Sequence, residues 1–177
     1  MLYNNFKITI ERFIMNRKEK QNIDIFFKNN FESVYKKSKL DITKSHKHHR
    51  NTSCFFHSIA VAYYSYKIAK KLRLKVSEKD LITGALLHDY FLYDWHITRY
   101  KKHGFSHPVS ALKNAETEFE LSSIEKDIIR KHMFPLTISP PKYKESILVC
   151  LVDKACCLYE VFKSDSYKKM KLKFNLA

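Results

Sequence analysis

Residues 81–89 read LITGALLHD, a stretch that is almost wholly apolar until it meets His88 and Asp89. An apolar run of this kind is a core helix, and two adjacent polar side chains at its end emerge together where the helix leaves the core. Just upstream, Ser77-Glu78-Lys79-Asp80 has the form of a capping box with Asp in place of the usual Glu, which predicts a helix start. Before it, residues 57–72, HSIAVAYYSYKIAKKL, alternate apolar and polar positions at helical spacing and predict a long amphipathic helix from His57 to about Leu74.

Downstream, Ser122-Ser123-Ile124-Glu125 is a second capping box with Leu121 as a possible staple, and it opens the helix that carries His132. Ser139 followed by Pro140 and Pro141 predicts an N-cap with proline in the first turn. The last major helix then runs to about Phe162 with Asp153 among Val149, Cys150, Val152, Cys156 and Cys157. Ahead of the main body, Leu2, Phe6, Ile10, Phe13 and Ile14 fall on one helical stripe, and a second helical stretch covers Ile23 to Tyr35. The polar segment Ser38 to Ser53 reads as a connector. The fold class expected is all-α: a helical bundle over about 50–165 and an N-terminal helical extension over about 1–45, in one domain of 177 residues. Two glycines and four prolines leave few turn signals for any other class.

No apolar run approaches the roughly 20 residues of a membrane span. The opening MLYNNFKITIERFIMNRKEK is broken by Asn, Lys and Glu, a poor signal peptide, so the expected location is cytoplasmic. The four cysteines form no C-x-x-C pair and are expected as reduced, packed side chains. A formal charge of +15 favours an anionic partner. No arginine-rich helix, zinc-finger spacing or RNA-binding aromatic motif accompanies that charge. A phosphorylated small molecule is therefore favoured over a polynucleotide, with a nucleic-acid-associated protein kept as an alternative.

Six side chains stand out: His57, His88, Asp89, His107, His132 and Asp153. A carboxylate on a strongly apolar helix, as at Asp153, needs a partner, and a metal ion is a common one. Imidazoles and carboxylates without thiolate suit Fe, Mn, Zn, Co or Ni better than a cysteine-type structural zinc site.

In order, His57 in HSIAVA, His88-Asp89 in ALLHDY, His107 in FSHPVSA, His132 in IRKHM and Asp153 in LVDKA resemble the ligand sequence of the HD phosphohydrolase superfamily. The likeness is to its branch with two metal ions, such as bacterial diadenosine tetraphosphate hydrolase-like and uncharacterised HD proteins. The resemblance covers about two thirds of the chain. It implies that His57, His88, Asp89 and Asp153 hold one divalent metal, that Asp89, His107 and His132 hold the second, and that Asp89 bridges. It further implies hydrolysis of a phosphoester or phosphoanhydride in a nucleotide or another phosphorylated small molecule by a hydroxide held between the metals.

Many relatives carry a lysine shortly after the HD pair; this chain reads HDYFLYDWH instead. Asp94 or His96 is then a candidate proton donor to the leaving group. Arg99, Lys101, Lys102, Arg130, Lys131 and Lys154 are candidate phosphate contacts, and His48, His49, Arg50 and His103 could line an anion pocket or simply face solvent. The alternatives are a regulatory HD-fold ligand-binding protein without turnover, and a homodimer built on the N-terminal helices.

Overall fold

A computed structural model describes residues 15–94, 103–163 and 167–176, without the side chain of His103. The stripe from Leu2 to Ile14 and the candidates His96, Arg99, Lys101 and Lys102 lie outside the described residues.

Helix α1 spans Arg17–Lys37 and begins at a complete capping box: Asn16 Oδ1 accepts from the Glu19 N–H at 2.9 Å, and Glu19 Oε2 accepts from the Asn16 N–H at 2.8 Å. Two orphan donors of the first turn are thereby satisfied, so the helix starts six residues ahead of the apolar stripe that predicts it. Its buried residues Ile23, Phe27, Phe31 and Val34 recur at helical spacing and join the common core. The polar connector contains a 3-10 turn, Leu40–Lys44, and a short antiparallel ribbon of β1 (Lys47–His49) and β2 (Thr52–Ser53), with Arg50 at φ 47° in its turn. This ribbon is the one strand pairing among the described residues.

Helices α2 (Cys54–Lys71), α3 (Glu78–Leu87), α4 (His103–Glu118), α5 (Ser123–Lys131), α6 (Lys144–Phe162) and α7 (Lys168–Phe174) complete the all-α architecture. α2 packs on α3, α3 on α5, α5 on α6 and α6 back on α2, a closed ring of four helices. α1 lies across α2 and α3, and α4 lies on α5. α7 packs Phe174 against the rings of Phe27 and Tyr63, with centroids at 5.3 and 5.2 Å, closing a three-ring cluster in which Phe27 and Tyr63 also meet at 5.2 Å. α3 is buried over most of its length, which is why its sequence carries almost no polar face.

Gly84 sets the approach of α3 to α5. A Cβ at this position would lie 2.7 Å from Ile128 Cδ1, so only hydrogen fits between the helices. His88 and His132 stand one turn beyond Gly84 and Ile128 on the same two helices.

Two helix starts differ from the sequence reading. Ser77 is an N-cap, but its side chain makes no capping bond; its N–H donates instead to Glu145 Oε1 of α6 at 2.8 Å, leaving Asp80 nothing to reciprocate. Ser139, by contrast, is not a cap at all. The N–H groups of Lys142 and Tyr143 donate to Asp127 Oδ2 of α5 at 2.8 and 3.3 Å, and helix α6 begins after them with Tyr143 as N-cap. The box at Ser122 forms in full, with Glu125 returning the bond.

Candidate metal centre

The helix ends deliver the site. His57 stands in the first turn of α2, His88 and His132 cap the C-termini of α3 and α5, His107 enters from the first half of α4, and Asp153 projects from the middle of α6. Asp89 follows His88 directly. All six side chains are buried, and the structure brings them into one cluster.

Asp89 divides this cluster. Its Oδ1 lies 3.3 Å from His107 Nε2 and 3.5 Å from His132 Nε2. Its Oδ2 lies 3.6 Å from His88 Nε2 and 3.9 Å from His57 Nε2. Asp153 Oδ1 closes the second side, 3.0 Å from His57 Nε2 and 3.7 Å from His88 Nε2. Two groups of ligand atoms thus share one carboxylate: His57, His88 and Asp89, and Asp89, His107 and His132.

The ring tautomers follow from the outer partners. His88 Nδ1 is 2.7 Å from the Ala85 carbonyl and His132 Nδ1 is 2.8 Å from the Ile129 carbonyl. A carbonyl only accepts, so each Nδ1 must carry the hydrogen and each neutral ring turns the lone pair of Nε2 inward. His57 Nδ1 is anchored in the same way, 2.8 Å from Glu160 Oε1. Lone pairs then face carboxylate oxygens across a closed space, an arrangement that repels unless a cation sits within it. Nε2 of His88 is buried with no hydrogen-bond partner at all. Donors anchored through one nitrogen with the other free are the pattern of metal-ligating histidines. The residues present therefore fit divalent metal.

With protons as the only cations, the charges settle unevenly. Burial opposes ionisation of Asp89 and Asp153, yet the surrounding imidazoles outweigh it and hold both carboxyls well below the usual range. Burial likewise opposes the His57 imidazolium, while Asp153 and Glu160 more than offset it and raise its pKa well above the ordinary value. At His132 burial wins and the pKa falls. A proton on an inward Nε2 and a metal ion compete for one lone pair, so a metal ion bound here would displace protons.

Asp94 is half-buried, and with Asp89 its charge pushes the thiol of Cys54 up after burial has done most of that work. Lys131 Nζ pairs with Asp127 Oδ1 at 3.1 Å. Lys154 Nζ donates to the His132 carbonyl at 2.8 Å and the Cys150 carbonyl at 3.2 Å, so it fixes the backbone that carries His132. Arg130 is exposed. The four cysteines are free thiols: Cys54, Cys150 and Cys156 are buried, and Cys157 is partly so, with Sγ 3.5 Å from Asp153 Oδ1.

Two residues join the cluster beyond the six motif positions: His48, expected to line an anion pocket or face solvent, and Glu160, which carries no expectation from the sequence. His48, from β1, is largely enclosed rather than solvated, with Nε2 3.6 Å from Asp89 Oδ2. Glu160 is fully buried and binds both His48 Nδ1 and His57 Nδ1 at 2.8 Å. The signal for Glu160 is present in the sequence: it lies seven residues after Asp153, on the same apolar face of α6.

Among the described residues, no helix is long and apolar enough to cross a membrane. No curated protein and no solved structure matches the chain. A family description does: the HD domain matches residues 54–157, a span that begins at the first residue of α2 and contains His57, His88, Asp89, His107, His132 and Asp153. With the H…HD…H…H…D residues gathered round one shared carboxylate and a match over more than half its length, the chain belongs to the HD domain family.

Proposed function

We propose that the chain is a two-metal phosphohydrolase that cleaves a phosphoester or phosphoanhydride bond in a nucleotide or another phosphorylated small molecule. Membership of a family typified by metal-dependent phosphohydrolases supports the coarser part of this reading. The observation that carries the rest is the split of Asp89: one oxygen faces two imidazoles and the other faces two motif histidines.

In this reading His57, His88, Asp89 and Asp153 hold one divalent ion of the Fe, Mn, Zn, Co or Ni type, and Asp89, His107 and His132 hold the other. Bound there, the ions would acidify a water molecule and neutralise phosphoryl charge. The protein's part is orientation. Carbonyls of Ala85 and Ile129 and the carboxylate of Glu160 keep three rings turned inward, and burial excludes bulk water. Asp94 or His96 gives a proton to the leaving oxygen. Arg99 and Lys102 contact the substrate's phosphates; Lys131 and Lys154 would have to give up Asp127 and two carbonyls to serve in the same way.

The test is turnover of a nucleotide panel and an activated aryl phosphodiester, read by mass spectrometry, with protein loaded with Mn, Fe, Co, Ni or Mg. Product should appear with at least one transition metal and vanish in chelator. A metal-replete protein that binds nucleotides without turning any over would replace this reading with a regulatory ligand-binding one. Binding to heparin that collapses with salt would show generic charge alone.

A further inference from the structure

We propose that His48 is a fifth imidazole of the metal centre, supplying Nε2 beside that of His57, and that Glu160 is the positioning residue that aims both rings. The inference rests on the metal reading above and extends it beyond the H…HD…H…H…D set. Both residues lie outside the span 54–157 matched by the HD domain, so the addition comes from the flanking segments of this chain.

Glu160 acts as a two-pronged clamp. Its Oε2 is 2.8 Å from His48 Nδ1 and its Oε1 is 2.8 Å from His57 Nδ1. The Tyr167 hydroxyl donates to Oε1 at 2.8 Å, so a fully buried carboxylate has both oxygens engaged. The two rings stack with centroids 3.7 Å apart and planes inclined by 22°. Held by the same nitrogen to the same carboxylate, they present their Nε2 atoms in the same direction. That direction is Asp89: His48 Nε2 is 3.6 Å from Oδ2, as near as His88 and nearer than His57 at 3.9 Å.

The ribbon holds this arrangement in place. The Cys54 N–H donates to the His46 carbonyl at 2.9 Å, joining the residue just ahead of β1 to the first residue of the helix that bears His57. The positive φ of Arg50 folds the chain back so that His48 reaches over the end of α2. A histidine that only filled space would need neither a buried carboxylate on one nitrogen nor a second carboxylate opposite the other. A carboxylate bonded to Nδ1 also makes Nε2 a better donor to a metal. With His48 the first position becomes rich in nitrogen, a ligand set for Co, Ni, Zn or Fe in preference to Mg.

The probe is Co(II) alone. The full chain is stripped with chelator and titrated by calorimetry and by visible absorption, using wild type, His48→Gln, His48→Ala, Glu160→Gln and His57→Ala, each checked for helicity. His48→Ala and His48→Gln should weaken one Co(II) position by about 10-fold or more and alter its visible spectrum, leaving the other position intact. Glu160→Gln should shift the same spectrum with both imidazoles present. Wild-type affinity and spectrum in both His48 variants, alongside loss in His57→Ala, would overturn the proposal and leave the metal reading standing. A rise in KM without any change in Co(II) binding would do the same, placing His48 against substrate. If wild type binds no Co(II), or His57→Ala binds like wild type, the metal reading itself fails.

Discussion

The Nε2 atoms of His107 and His132 face one another at 2.8 Å. The Nδ1 hydrogen of His132 is committed to the Ile129 carbonyl, so a neutral His132 can only accept in this contact, with Asp89 Oδ1 3.5 Å away. Two nitrogens and a carboxylate oxygen thus converge on a space that one small cation would satisfy.

Elemental analysis after anaerobic purification and reconstitution should therefore approach two metal equivalents per chain. A value that stays near one would remove His107 and His132 from coordination and assign them to second-layer or substrate contacts, in a mononuclear centre.

Asp89→Asn nearly preserves shape while removing the charge that faces both halves of the cluster. It should empty or scramble both positions and abolish hydrolysis, whereas His132→Ala should leave the half around His57 and Asp153 partly occupied. Helical content should survive in both variants, because the ring of four helices is held by apolar contacts. Near wild-type turnover and metal content in Asp89→Asn would sink the two-metal mechanism.

Asp127 ties α5 to the start of α6 and is paired with Lys131. Burial opposes its ionisation, but the Lys142 N–H, the Ser146 hydroxyl, Lys131 and the Tyr143 N–H prevail and hold its carboxyl below the usual aspartate value. A depressed folded pKa stabilises the protein above the unfolded value and ceases to do so as pH falls through the folded one. Asp127→Asn should cost about 1 kcal/mol near neutrality, discounted for partial exposure. Denaturant midpoints of the two proteins should converge as pH falls below the ordinary aspartate range towards the depressed folded value. A constant gap down to strong acid would show that the carboxylate charge contributes nothing.

Lys154→Ala should destabilise by about 1 to 2 kcal/mol, because it strips donors from the His132 and Cys150 carbonyls. Urea unfolding measures this, and kinetics separates the alternative: a large rise in KM at unchanged stability would make Lys154 a phosphate contact instead.

The helices were legible because their apolar faces repeat at helical spacing, and the motif residues because a polar pair ending LITGALL has few structural uses. Caps were readable where the partner is local, as in Ser122 and Glu125. They were not where a distant side chain takes the N–H first, as Glu145 does at Ser77 and Asp127 does ahead of α6. His48 was hidden for the same reason. Among neighbouring lysines and histidines it reads as a solvated loop residue, and only contacts 112 residues away, to Glu160, bring it inside. Long-range pairing leaves no local periodicity to find.

Between Gly84 and Ile128 there is room for a hydrogen atom and nothing larger. Position 84 does no chemistry, yet it acts as a shim beneath the pair His88 and His132, one helical turn above. Any added bulk would be passed up both helices as a change in the gap between those two rings. The two positions are thus interdependent: a methyl group gained at 84 asks for volume surrendered at 128, and a chain in this lineage that drifts at one would have to drift at the other to keep its histidines in register.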